Sequence, residues 1–311
     1  MTGGCGFIGS HIVEEFVRRG WEVGVLDNVS TGAESNLKAA RRVRYHKGDI
    51  RDFDAVRKAM HGYKAVSHQA ALVSVARSVE DPIVSNAVNV GGTLNVLTAA
   101  RDSGVERVVY ASSSSVYGET ETLPKTETMQ TNPASPYAVS KLAAENYCRT
   151  FASVYGLRTV SLRYFNVYGP RQRAGPYSGV IPAFVGSVLA GKPPLINGDG
   201  SQTRDFTYVQ DAVQANVLCT EKDINPGDVF NVGSSSQTSI LELAGIVARL
   251  GGKPALKPEF GPERKGDVRH SYADTGKISA AVGYKPEFTL QTGLKEVFSW
   301  MENSIQRDRR S

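Results

Sequence analysis

The sequence predicts an α/β fold: a doubly wound parallel sheet followed by a smaller carboxyl-terminal lobe. Three observations carry that expectation. Up to about residue 165, short apolar runs alternate with stretches of helical period. A glycine-rich turn opens directly into the first of those stretches. After Gly169 the texture changes to longer loops rich in proline and glycine.

Taken in order, residues 8–19 carry apolar side chains at three- and four-residue spacing, which places them on one helix face. The apolar run 21–27 follows, and further runs lie at 43–46, 65–68, 108–112 and 159–163. Helical stretches at 55–60, 83–101 and 137–155 fall between them. Strands that alternate with helices in this way build a parallel sheet covered on both faces. Beyond Gly169, residues 170–176 and 251–266 read as loops. Ser239 with Glu242 three residues on makes a capping box, and Gly251 stops the helix it opens. An amphipathic helix closes the chain from about Leu290. The expected division is 1–168 and 169–311, with parts of about 205–222 packing back on the first unit.

Composition narrows the function. With 311 residues, 41% of them hydrophobic and 22% charged, the chain is long enough for a large core and too apolar for disorder. No run approaches the roughly 18 apolar residues of a membrane helix, and the N-terminus lacks a charged stretch followed by an apolar one, so a cytoplasmic location is expected. Cys5, Cys148 and Cys219 lie too far apart for a CxxC pair or a disulfide framework, and no metal site is expected. The formal charge of +5 is spread along the chain, which suits an anionic small molecule better than a nucleic acid. The basic cluster from Arg307 to Arg310 is read as a solvated tail.

Thr2-Gly3-Gly4-Cys5-Gly6-Phe7-Ile8-Gly9 spaces glycines so that backbone amides at a helix N-terminus can approach a pyrophosphate. Alone, it is equally a tight turn with no ligand. Asp27 ends the next apolar run, where a carboxylate binds ribose hydroxyls and repels a 2′-phosphate, so NAD is favoured over NADP. Asp49-Ile50 suits an adenine cap and, nearly as well, a surface turn. Tyr137 and Lys141, four apart after Pro136, share a helix face, and an adjacent ammonium together with a positive nicotinamide ring lowers a phenol's pKa toward that of a usable base, although YxxxK alone is usually a plain amphipathic helix face. The serines 112–115 end an apolar run, where such folds bind ligands, although four serines also make a plain polar loop.

Together TGGxGFIGS, Asp27, the serine run before VYG, SPYAxSK, RYFNVYGP, NGDGxxxRDF and GDVRHSxAD span residues 2 to 274. The chain thereby resembles the UDP-glucose and UDP-N-acetylglucosamine 4-epimerase family, a branch of the extended short-chain dehydrogenases. That resemblance implies a Rossmann domain with tightly bound NAD, a small lobe gripping a UDP-sugar, and a homodimer paired through helices of about residues 83–101 and 137–155. It assigns catalysis to Ser113, Tyr137 and Lys141. To the cofactor it assigns Gly3, Gly6, Phe7, Ile8, Gly9, Asp27, Asn28, Ser30, Asp49, Ile50, Gln69, Ala70, Ala71, Asn89, Ser112 and Tyr164, besides Tyr137 and Lys141. The substrate falls to Ser74, Ser113, Phe165, Asn166, Val180, Arg204, Arg264, Asp267 and Ser271, with Tyr164 and Phe165 flanking the nicotinamide.

The reaction so implied is inversion at sugar C4 through a 4-keto intermediate, with Tyr137 as base. Related dehydratases carry Asp-Glu where this chain has Ser114-Ser115, and decarboxylases carry Glu there, so elimination lacks its usual groups. A UDP-glucuronate 4-epimerase stays open, its carboxylate met by Arg77 or Arg171; a non-catalytic NAD sensor would not need Ser113, Tyr137 and Lys141 together. Ser271 stands at the position where relatives restricted to plain hexoses carry tyrosine, so acetylated sugars are expected to fit. One departure stands out: Met1 directly precedes the glycine turn, where the family places a strand of about five apolar residues, and the central strand is therefore expected to be missing or cut short.

Overall fold

The computed structural model of the protein describes residues 1–40, 42–172, 179–263 and 268–308. Helix α1 (Phe7–Arg18) buries Ile12, Val13 and Phe16 and leads to β1 (Gly24–Asp27). Next come β2 (Arg44–Lys47), α2 (Phe53–Met60), β3 (Ala65–His68), and two short helices, α3 (Val75–Glu80) and α4 (Pro82–Asn86). A π-turn over Ala87–Gly91 joins α4 to α5 (Gly92–Asp102), so the helix expected at 83–101 is continuous but wound differently in its middle. Strand β4 (Arg107–Ser113), α6 (Pro136–Tyr155) and β5 (Arg158–Tyr164) complete the alternation.

The chain continues with α7 (Val180–Leu189), β6 (Leu195–Asn197), β7 (Thr203–Arg204), α8 (Val209–Glu221) and β8 (Asp228–Val232). It ends with β9 (Thr238–Ser239), α9 (Ile240–Leu250), β10 (Glu259–Gly261), α10 (Gly276–Val282) and α11 (Leu290–Asp308). Ser239 caps α9 as its sequence signature requires, accepting from Glu242 N. Expected loop 251–266 contains β10, too short for a periodic signal and paired with β6 at a distance.

Strands β3, β4, β5 and β8 form a parallel sheet in the order β3-β4-β5-β8, and β1 pairs parallel with β2. The last strand therefore comes from beyond residue 168. Only Met1 and Thr2 stand between β1 and β3 among the described residues. Thr2 donates its amide to Ser67 O at 3.1 Å, and Gly3 N reaches Leu26 O at 2.9 Å. The Met1 amine holds Gly24 O at 2.8 Å. Towards the amino ends of these strands, the edges of β1 and β3 face each other across an apolar slot lined by Leu26, Val56, Met60, Tyr63 and Val66. The run expected at 21–27 is correspondingly shortened to four residues, with Trp21 exposed against Phe16.

One core lies on each side of the sheet. Leu26, Val66, Val96, Leu97, Val108 and Phe151 pack on the α2–α5–α6 side. Ala212, Ala215 and Cys219 of α8 join Val160, Leu162 and Phe230 on the other, and Val213 and Val217 of α8 meet α1. Helices α7, α9 and α11 share a separate cluster that includes Phe184, Val188, Leu243, Val247 and Leu294. Burial of each such side chain is worth roughly 1.5–3 kcal/mol. No helix among the described residues is long and apolar enough to cross a membrane.

Candidate active site

The carboxyl ends of the strands gather the chemistry. Gly3 adopts φ +68°, and a Cβ there would stand 2.6 Å from Ala70 N; a Cβ on Gly9 would collide with Gly3 O. Both positions therefore demand glycine. No side chain caps α1, so its first amides face outward at the positive end of the helix dipole. Asp27 accepts from Cys5 N at 2.9 Å and Val29 N at 2.7 Å, which fixes its carboxylate at the end of β1. Asn28 donates to Asp49 at 2.8 Å while its own oxygen accepts from Ser30 N. Arg51 grips both oxygens of Asp49 and holds its carboxyl down at about 2. Ile50 is buried against Gly92.

Helix α6 is positioned at its start by Ser135, which accepts from Ala138 N, by Pro136 in the first turn, and by Ser78, whose hydroxyl accepts from Tyr137 N at 3.0 Å. Tyr137 and Lys141 are both buried, with the ammonium 6.0 Å from the Tyr137 ring centre and donating to Ala111 O at 2.8 Å. Burial pushes the phenol up to about 12, against a hydrogen bond from Ser113, and pushes the lysine down to about 7. The lowering expected from Lys141 and the nicotinamide together concerns the loaded site; in the protein alone, burial is the larger influence on the phenol. Ser113 Oγ accepts from Ser115 N at 3.2 Å and Ser115 Oγ at 2.9 Å, which leaves its own proton to donate outward.

Several expected site residues have side chains engaged within the protein. Ser112 donates at 2.6 Å to Glu145, whose carboxylate is bound bidentately by Arg163 in the sheet–α6 interface. Asn89 spends its amide on Leu72 and Ser140. Ser74 caps α3. The Phe165 ring is fully buried beside Tyr117 and Ala273. Tyr164, in register with Ser113, donates to Gln69 Oε1 and accepts from Asn216 Nδ2 at 2.6 Å. Glu145 and Asn216 are positions that motif reading passes over, whereas Arg163 and Ser115 fall inside motifs without being given a role. Glu145 carries a signal of its own, because it continues the Tyr137–Lys141 row by one more four-residue step.

Asn166, Val180 and Arg204 line one cleft together with Tyr168, Ile181, Phe184, Asn197, Gln202 and Phe206. Asn166 is anchored to Asp205 O, and Arg204 to the carbonyls of Thr203 and Arg269. Ser271 is 9% exposed, its amide bound to Thr203 O. Arg264 and Asp267 lie outside the described residues. Arg171 is committed to Glu14 at 2.6 Å and to Ser10 on α1, while Arg77 is exposed on α3.

The uncapped start of α1 and the Asp27 carboxylate fixed at the end of β1 together fit a dinucleotide. Residues 1–233 match the NAD dependent epimerase/dehydratase family, and the chain belongs to it. Its cofactor is NAD. Over 306 residues, 98% of each chain, it is 38% identical to a putative UDP-glucose 4-epimerase of Methanocaldococcus jannaschii. Its structure resembles that of the UDP-N-acetylglucosamine 4-epimerase from Methanobrevibacter ruminantium in complex with UDP-N-acetylmuramic acid, with a TM-score of 0.93, 37% identity and 97% of both chains covered. It also resembles the Thermus thermophilus UDP-glucose 4-epimerase in complex with NAD, with a TM-score of 0.90 and 39% identity over 97% of this chain and 98% of that one.

Proposed function

We propose that the chain is a UDP-hexose 4-epimerase that interconverts UDP-glucose with UDP-galactose and UDP-N-acetylglucosamine with UDP-N-acetylgalactosamine. The observation that carries this reading is the meeting of Ser113, at the end of β4, with Tyr137 and Lys141 on α6, in a run whose next two residues are serines and not acids. NAD supplies a reversible two-electron oxidation at sugar C4. The Tyr137 oxygen takes the proton from the 4-hydroxyl and later returns it to the same oxygen. Ser113, with its acceptor side filled by Ser115, orients that oxygen by donating to it. Lys141 places a cation beside the phenol on the cofactor side.

The UDP anchor is assigned to the cleft of Asn166, Val180 and Arg204, an arginine suiting paired phosphate oxygens; Arg264 and Asp267 would extend it. Binding energy then resides in the nucleotide, and the oxidised sugar can turn without leaving. Ser271 leaves room beside C2. The division of labour follows the chain, residues 1–168 holding NAD and 169–311 the nucleotide sugar, with α8 packed back on the sheet. The enzyme is read as cytoplasmic, and as a homodimer because Val79, Ile83, Val139, Val154 and Tyr155 are exposed apolar side chains on α3, α4 and α6. Incubation with each UDP-sugar and chromatographic separation of the products tests the activity. Absence of interconversion for all four would overturn it.

A further inference from the structure

Asn216 sits in the interior of α8, fully buried, and every hydrogen-bonding capacity of its amide is used. Its Nδ2 donates to Tyr164 Oη at 2.6 Å and to Ala212 O at 2.8 Å. Its Oδ1 accepts from Ser67 Oγ at 3.2 Å and Gln69 Nε2 at 3.1 Å. Gln69 also donates to Ser67 Oγ at 3.1 Å and accepts from Tyr164 Oη at 3.3 Å, so the four side chains close into a ring.

The ring's place gives it a role. Gln69 adjoins Ala70, against which Gly3 of the glycine turn is pressed, and Tyr164 is the register partner of Ser113. It therefore spans the carboxyl edge of the sheet from the phosphate end of the site to the catalytic end. Two buried phenols, Tyr137 and Tyr164, flank Ser113. Tyr164 has its hydroxyl occupied as donor and acceptor, whereas Tyr137 is left to Ser113 and the substrate.

We propose that Asn216 is a positioning residue that holds Gln69 and Tyr164 as a hydrogen-bonded floor beneath the dinucleotide, and so reserves proton transfer for Tyr137. A floor whose donors are all engaged would present the Tyr164 ring to the nicotinamide end. Without Asn216, four polar groups lose a partner, and Tyr164 and Gln69 must seek others within the cavity. The inference rests on the reading that this edge binds NAD.

The test measures NAD binding to the NAD-stripped protein by calorimetry. Asn216→Leu is expected to weaken NAD about tenfold and to leave KM for the UDP-sugar within about twofold. Adding Tyr164→Phe, which removes the displaced hydroxyl, should recover most of that loss. Should Asn216→Leu not fold, Asn216→Ser keeps a short polar side chain in α8 and gives up the reach to Tyr164 and Gln69; NAD weakened about threefold and rescued by Tyr164→Phe is expected. A folded Asn216 variant that binds NAD like the wild type, or a loss that Tyr164→Phe only deepens, overturns the role of Asn216. A wild type that binds no NAD overturns the underlying reading as well.

Discussion

At the scale of single residues, the base is set by what its oxygen can reach. Tyr137→Phe removes the proton acceptor and little else, so the fold and bound NAD should persist while turnover drops at least about a hundredfold. Assays coupled to UDP-glucose formation would show it, and near-normal turnover would sink the mechanism. Ser113→Ala should be milder, since Ser113 orients and does not carry the proton, and Lys141→Met should weaken both NAD binding and rate. Ser271→Tyr addresses specificity. A ring at this buried position fills the space beside C2, so conversion of the acetylated sugars should vanish while that of the plain hexoses survives, a steric block discriminating more strongly than one lost contact. Equal loss of both activities would place the pocket's limit elsewhere. Tyr137 and Lys141 are legible in the sequence because helical period alone brings them together. Asn216 is not, because its partners Ser67 and Gln69 lie 149 and 147 residues away and an asparagine inside a helix has no local signature. For the same reason the sequence shows Ser112 as a member of a polar run and not as a partner of Glu145.

At the scale of elements, periodicity recovers the long helices and buried strands, and it fails where an element owes its existence to a remote neighbour. Strand β10 exists because β6 is there to pair with it, and the π-turn between α4 and α5 is written in packing. The slot between β1 and β3 is an element-scale feature with a thermodynamic consequence. About five apolar residues placed before Met1 should fill it, raise Tm by several degrees and strengthen NAD retention through a firmer glycine turn. Thermal melts of both proteins decide it; identical curves would show that the slot costs nothing.

For the whole molecule, the exposed apolar side chains of α3, α4 and α6, with Ile83 79% and Val79 63% exposed, support the proposed dimer. Ile83→Asp should convert a dimer into monomers by light scattering without altering the far-ultraviolet spectrum, and a wild type that is already monomeric would remove the assignment.

Among the described residues, the two parts of the sheet that carries the site meet through the short segment Met1–Gly3, with Thr2 bridged to Leu26 on one side and to His68 on the other. Seen as a cooperative system, it consists of two leaves with a short seam between them. The β1–β2 leaf holds Asp27, and the β3–β4–β5–β8 leaf holds Ser113 and Tyr164. A dinucleotide whose ribose rests on one leaf and whose reactive ring rests on the other is then a rivet as well as a reagent. Amide protons of residues 24–27 and 44–47 should exchange far faster than those of 107–113 in NAD-stripped protein, and the two sets should converge when NAD is added. Cofactor loss would thus begin as the opening of a seam.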